Sequence, residues 1–306
     1  MTEPLISVIL PTYNRSTLLG EAVESVRRQS YRHWELVVID DGSFDDTPTT
    51  LAKVEDDRLR ILRLDHTDNP ARVRNAGLAE ARGRFVAFLD DDDLWDHSKL
   101  TMQLEGLLRS GCRWGYTGFR RIDAMGRDVN DASLRPWAPH RGWILERLLR
   151  IEAVVPLPTV MVERTLLADV GGFDESFLDC EDYELWFRLA VRSPAHVQVE
   201  TLASVRVHAQ HRQADRERVN GSWVAVYGKT ARMLRDQHLR DLCLRRRAEH
   251  QVVLARLLVG RGDRRSSLAL LARSARRAGT TREWWKALAH LLLPTPWVGA
   301  LRRLRR

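Results

Sequence analysis

The sequence predicts an α/β protein: a Rossmann-like, mostly parallel sheet flanked by helices, followed by an α-helical C-terminal extension. Three observations carry that prediction. Short runs rich in β-formers alternate with amphipathic stretches through the first 120 residues. Several of those runs, ISVIL and ELVVI among them, are almost wholly apolar, as strands buried on both faces of a parallel sheet are. From about residue 215 onward the strand-like runs stop and only helical periodicity remains.

Taken in order, ISVIL (6–10) reads as the first strand and STLLGEAVESVRRQ (16–29) as the helix that crosses back over it. ELVVI (35–39), a helix after Asp45, RLRILRL (58–64), ARVRNAGLAEAR (71–82), RFVAFL (84–89), HSKLTMQLEGLLRS (97–110) and RWGYTGF (113–119) continue the alternation. Strands separated by helices imply a doubly wound sheet covered on both faces. Beyond residue 120 the pattern loosens until Gly171-Gly172, a turn signal, precedes DYELWFRLA, where Leu185, Trp186 and Leu189 fall on one side of a helix. Glu181 and Asp182 would lie in its first turn, where the positive end of the helix dipole favours carboxylates. The last third reads as helices, with a hairpin turning at Gly260-Arg261-Gly262.

The chain has 306 residues, 44% of them hydrophobic, which is enough for a substantial core. Its net charge of +8 conceals an asymmetry. Residues 1–214 hold 27 basic and 34 acidic side chains, net −7, whereas 215–306 hold 22 and 7, net +15. The predicted division is therefore 1–214 as one domain, in two halves (1–120 and 121–214), and 215–306 as a basic helical extension. Cys112, Cys180 and Cys243 stand far apart with no CxxC pair, which argues against a zinc site or disulfide framework and fits a reducing, cytoplasmic compartment. LISVIL at the N-terminus lacks the flanks of a signal peptide, and no run of 18 apolar residues could span a bilayer.

In open α/β sheets ligands bind beyond the carboxyl ends of the strands. Three chemically loaded segments fall there: PTYNR (11–15), DDGSFDD (40–46) and the four aspartates Asp90–Asp93. If the last were extended, Asp90 and Asp92 would share a face. Two carboxylates can hold a hard divalent cation such as Mg²⁺ or Mn²⁺, its shell completed by a substrate diphosphate. The bland alternative is a calcium-binding or solvated loop, although the DxDxDG order and distal Glu are absent. Asp40 and Asp41 read either as turn formers ahead of Gly42-Ser43 or as acceptors for a base N–H.

ISVILPTYNR, ELVVIDDGSFDDT, ARVRNAGLAEARGRFVAFLDDDDLW and FDESFLDCEDYELWFRL, in this order over residues 5–210, resemble the family 2 glycosyltransferases, which have the GT-A fold. The resemblance implies transfer of a sugar from a nucleotide sugar, most simply a UDP-sugar, with inversion at the anomeric carbon. It implies that Pro11, Thr12, Tyr13, Arg15 and Asp41 hold the nucleotide, with Tyr13 as a stacking surface and Asp41 meeting a uracil N–H. Arg74 and Asn75 match an element lining the donor site, where a guanidinium suits a diphosphate; Arg72 and Arg74 could equally be solvent-facing helix residues. Asp90-Asp91-Asp92 match the DxD element, with Asp91 toward ribose and sugar and Asp92, with Asp90, toward the metal. Glu181-Asp182 match the ED element, with Asp182 the general base. His208 falls where many relatives carry a metal-closing histidine, with His211 a weaker candidate. Trp186 lies near the acceptor or in the core, and the acceptor itself is expected along Arg120–Pro158.

The tail, TREWWKALAHLLLPTPWVGALRRLRR, sets Trp284, Trp285 and Trp297 beside apolar runs and four terminal arginines, the pattern of an interfacial segment on an anionic membrane. Packing of a helical subdomain is the alternative. No nucleic-acid module accompanies the charge. Since many bacterial relatives act on surface glycans, a glycan or lipid-linked acceptor at the inner face of the membrane is implied. A metal-dependent nucleotidyltransferase and a catalytically silent nucleotide-sugar-binding protein are the competing classes.

Overall fold

The computed structural model describes residues 3–129, 137–207 and 216–292. Two compact units, Met1–Ala209 and Gln210–Arg306, make up the chain. The first contains β1 (Ile6–Thr12), α1 (Ser16–Arg27), β2 (Trp34–Asp40), α2 (Thr47–Ala52), β3 (Leu59–Arg63), α3 (Pro70–Glu80), β4 (Phe85–Phe88), β5 (Leu94–Trp95) and α4 (Lys99–Ser110). After these come β6 (Trp114–Ile122), α5 (Leu145–Leu149), β7 (Met161–Glu163), α6 (Arg164–Val170), α7 (Glu181–Arg192) and β8 (Ala195–Arg206). The predicted strands and helices of the first 120 residues are all present, shifted by a few residues at their ends.

The strands form one sheet in the order β3-β2-β1-β4-β7-β6-β8-β5. Pairings β1–β2, β2–β3, β1–β4 and β6–β8 are parallel, whereas β7 runs antiparallel to both β4 and β6. β4 and β6 therefore point the same way, and the carboxyl ends of β1, β2, β4, β6 and β8 open at one edge. β1 and β2 are buried almost end to end because α3 packs on one face and, on the other, Leu19, Ala22, Val23 and Val26 of α1 join Val8, Leu10, Leu36 and Val38 in one apolar cluster. Gly83, entering β4, allows a close backbone approach: a Cβ there would lie 2.6 Å from Ser7 N and 2.7 Å from Leu5 O.

The second unit is helical among its described residues: α8 (Arg216–Met233), α9 (Gln237–Gly260), α10 (Arg264–Ala278) and α11 (Arg282–Leu292). Asp236 and Asp263 cap α9 and α10 by accepting from Leu239 N and Ser266 N. The predicted hairpin turn falls between α9 and α10. Val252, Ala255, Leu271, Ala287 and Leu291 form the core of this unit, and Trp284 donates through Nε1 to Leu271 O.

Candidate active site

The four aspartates close a turn rather than continue β4: Asp93 N donates to Asp90 O at 3.1 Å. The expected alternation of Asp90 and Asp92 on one strand face is therefore not what the chain adopts. The turn relieves the repulsion of adjacent carboxylates by aiming each at a different partner. Asp90 accepts from Arg74 Nη2 (2.9 Å), Asp91 from Thr12 Oγ1 (2.7 Å), Asp92 from Arg15 Nη1 (2.9 Å) and Asp93 from Arg206 N (2.7 Å).

Arg74 joins this turn to the start of α7. Its Nη1 donates to Glu181 Oε1 at 2.7 Å while Nη2 holds Asp90, and its side chain is about 10% exposed. Burial opposes its charge, but Asp90 and Glu181 outweigh that and keep it protonated. Arg72, by contrast, is exposed on the same helix. Asp182 follows Glu181 and lines the same cavity of about 430 Å³ as Arg74, Asp90, Asp93 and Glu181, with Pro156, Leu157 and Leu178 on its apolar side. Burial, then the charge of Glu181, raises the Asp182 pKa to about 7. That is the range in which a carboxylate serves as a base at neutral pH.

The segments expected to hold the nucleotide also converge. Asp40 is a turn former, accepting from Ser43 N and Arg63 Nη1, and Gly42 beside it has φ +77°, a left-handed conformation that glycine adopts without strain. Asp41 is 5% exposed, and its carboxylate meets His66 Nδ1 (2.9 Å), Thr67 N (3.0 Å) and Thr67 Oγ1 (3.0 Å). Tyr13 stacks on the His66 ring with centroids 3.9 Å apart and planes 9° apart, and Phe44, 83% exposed, approaches Tyr13 edge-on. Pro11 and Thr12 end β1 beside Ile39 and Asp40.

The acidic turn offers oxygen donors in excess of nearby cations. Burial raises the Asp91 pKa to about 7, and repulsion from Asp92 and Asp90 adds to it; Asp93 is raised well above the ordinary range by burial and the same two neighbours. That donor set and surplus of negative charge fit a hard divalent ion. Among the described residues no group of three or more His, Cys, Asp or Glu side chains is arranged as a metal cage. His208 and His211 lie outside the described residues.

The family profile described as Glycosyl transferase family 2 matches residues 7–154. The UDP-Glc:alpha-D-GlcNAc-diphosphoundecaprenol beta-1,3-glucosyltransferase WfgD of Escherichia coli is 33% identical over 189 residues, covering 62% of this chain and 71% of that protein. The chain belongs to glycosyl transferase family 2. Against two further bacterial glycosyltransferases the match spans 47% and 29% of their length. Among solved structures, the mannosyltransferase PcManGT of Pyrobaculum calidifontis, in complex with GDP-Man and Mn²⁺, aligns with TM-score 0.63 at 21% identity over 97% of this chain and 83% of that one. S. aureus TarS 1-349, in complex with UDP-GlcNAc, aligns with TM-score 0.61 at 17% identity over 90% and 92%. These likenesses establish the GT-A fold.

Two residues named from the sequence are held by packing and loop contacts, and for Trp186 this is the core position that the sequence also allowed. Trp186 has no surface to offer an acceptor: it is fully buried, donates Nε1 to Val155 O and stacks on Trp114. The apolar stripe that makes α7 pack also draws its tryptophan into the core. Asn75 is engaged in holding the 173–175 loop, donating to Phe173 O and Glu175 Oε1 and accepting from Phe173 N. Three residues escaped sequence reasoning. His66 and Thr67 could have been sought as polar partners just past β3; Arg206, a cation inside an otherwise strand-like SVRV, was a visible anomaly.

Proposed function

We propose that this family 2 glycosyltransferase transfers a sugar from a nucleoside-diphosphate sugar, most simply a UDP-sugar, to a hydroxyl of a glycan or lipid-linked acceptor, with inversion, in bacterial surface-glycan assembly. The observation that carries the reading is the single cavity shared by the acidic turn and Asp182, linked through Arg74. Residues 1–120 would bind the donor and 121–214 the acceptor. The nucleotide base would lie by Tyr13 and Asp41, and the ribose and sugar by Asp91. Asp90 and Asp92, with His208, would hold Mn²⁺ or Mg²⁺, which when bound neutralises charge on the leaving diphosphate. Arg15 and Arg74 add fixed positive charge at the same turn. Asp182 takes the acceptor proton as the hydroxyl attacks from the face opposite the leaving group, which inverts the anomeric carbon. The donor class is supported by relatives of both kinds: WfgD is named for UDP-Glc, and the PcManGT complex contains GDP-Man.

Asp182→Asn tests the reading. Transfer should fall by roughly 10²- to 10⁴-fold while nucleotide binding is retained. Undiminished turnover would remove Asp182 from the role. Thermal shifts with UDP, GDP, dTDP and CMP, each with and without Mn²⁺, identify the nucleotide; saturation at 100 times the dissociation constant adds about 2.7 kcal/mol.

We infer also that the helical unit rests on an anionic membrane surface. Arg282, Trp285, Ala289 and Leu292 fall at helical spacing on the solvent side of α11, with Trp285 58% and Leu292 70% exposed. A tryptophan and leucine beside cations suit a lipid headgroup layer. Trp297 and the terminal arginines lie outside the described residues. Among the described residues no helix is long and apolar enough to cross a membrane, so contact would be peripheral, at the inner face. Flotation with anionic vesicles should retain the chain and lose it with Trp285→Ala/Leu292→Ala; equal flotation of both would reject the contact.

A further inference from the structure

Arg206 ends β8, and only 1% of its side chain is exposed. A guanidinium removed from water must find acceptors for its rigid fan of donors. It finds four, on three separate segments. Nε donates to Asp92 O at 2.7 Å, Nη1 to Asp123 O (3.0 Å) and Ala124 O (2.9 Å), and Nη2 to Glu21 Oε2 (3.0 Å). Its own backbone N holds the Asp93 carboxylate. The acidic turn is thus gripped twice by one residue, through a main-chain carbonyl and through a side chain. Neither contact uses the Asp90 or Asp92 carboxylates that would face a metal and a diphosphate.

We propose that Arg206 is the positioning residue of the acidic turn: it fixes where Asp90–Asp92 present their carboxylates by tying that turn to the 123–124 turn after β6 and to α1. The inference rests on the donor-site reading above and adds a residue that touches neither donor nor acceptor. Lysine cannot replace it, because one ammonium on a flexible stem reaches one or two of the four acceptors and lacks the planar fan that sets their angles.

The test measures nucleotide binding by calorimetry on the full chain, with UDP and, separately, GDP as probes, at saturating Mn²⁺ and without metal. Arg206→Lys and Arg206→Gln should each weaken Mn²⁺-dependent binding at least tenfold, lysine less than glutamine, while metal-free binding through the Tyr13–Asp41 side stays within about twofold. A general loss of structure would lower the binding-competent fraction under both conditions alike. Arg84→Gln, at the opposite end of β4 from the turn and with its side chain 58% exposed, is the control and should change neither. Should the Arg206 variants fail to fold, Glu21→Gln decides. Glu21 is 57% exposed in its side chain, and removing its charge loosens one arm of the guanidinium, so metal-dependent affinity should fall about threefold. Folded Arg206 variants with unchanged Mn²⁺-dependent affinity, or an unchanged Glu21→Gln chain where those variants do not fold, overturn the proposal. A wild-type chain that answers neither nucleotide, with or without Mn²⁺, overturns the donor-site reading and this inference with it.

Discussion

Arg74→Met isolates the link between the two halves of the site. The substitution keeps length and apolar packing but removes the charge that joins Glu181 to Asp90. The two contacts are unequal. Arg74 and Glu181 meet at 2.7 Å with side chains only 10% and 11% exposed, whereas Asp90 is 31% exposed and can be rehydrated. Breaking a buried pair by removing one partner leaves an uncompensated charge and costs about 3–5 kcal/mol. The Asp90 contact adds at most about 1 kcal/mol. At about 2–4 °C per kcal/mol for a unit of this size, the midpoint should fall by roughly 6–24 °C in calorimetry. Loss of the cation also removes a charge that favours ionised Asp182 and so raises its proton affinity, and the acid limb of the rate profile should move to higher pH. Saturating nucleotide should not restore the limb. A midpoint lowered by less than about 2 °C, with the acid limb unmoved, would refute the idea that Arg74 neutralises this pair.

Further outcomes follow from single residues. For wild type, transfer should fall about tenfold per pH unit below about 7, because Asp182 is raised to that value by burial and by Glu181 and works only when ionised; a rate flat from pH 5 to 8 would contradict it. Lys99 is fully buried, its Nζ lies 3.8 Å from the Trp95 ring centroid without a hydrogen-bond partner, and burial pushes its pKa well below 10.5. Between the depressed value and 10.5 the unfolded chain therefore binds a proton that the folded chain does not. Wild type should gain up to about 1.4 kcal/mol per pH unit relative to Lys99→Met between the depressed value and 10.5, and chemical denaturation at pH 6 and 8 reads the difference. Lys99→Met should be the more stable at pH 6. Gly83→Ala forces a Cβ onto the backbone of residues 5 and 7 and should destabilise by at least about 2 kcal/mol; a neutral result would mean that β1 and β4 can part locally.

The parallel half of the sheet was legible because its strands are buried on both faces and so appear as unbroken apolar runs such as ISVIL and ELVVI. β7 was not, since three residues carry too little periodicity to distinguish from a loop. β8 hid for another reason: its middle residues are partly exposed and its pairing with β6 is broken by a register irregularity around Gly118. At the site, composition located the acidic turn and the α7 carboxylates but not their geometry. Whether Asp90–Asp93 extends or turns depends on which cations lie opposite, and Arg74, Arg15 and Arg206 are supplied by distant segments. Trp186 shows the converse limit. Helical spacing put it on the apolar side of α7 but could not say that this side faces Trp114 rather than a cleft.

The Arg206 clasp also orders events in the life of the chain. Glu21 and Arg206 are 185 residues apart in sequence, and Asp92 and Arg206 are 114 apart. Contacts of that separation form only after the intervening segments have been made and brought together. On the ribosome, β1 to β4 can emerge and pair while the acidic turn still lacks its anchor. A polypeptide released before residue 206 would carry every aspartate of the turn together with Glu181 and Asp182, yet hold the turn without its fastening. Completion of the acidic turn is thereby tied to completion of the sheet, and truncated chains are left with that turn unfastened.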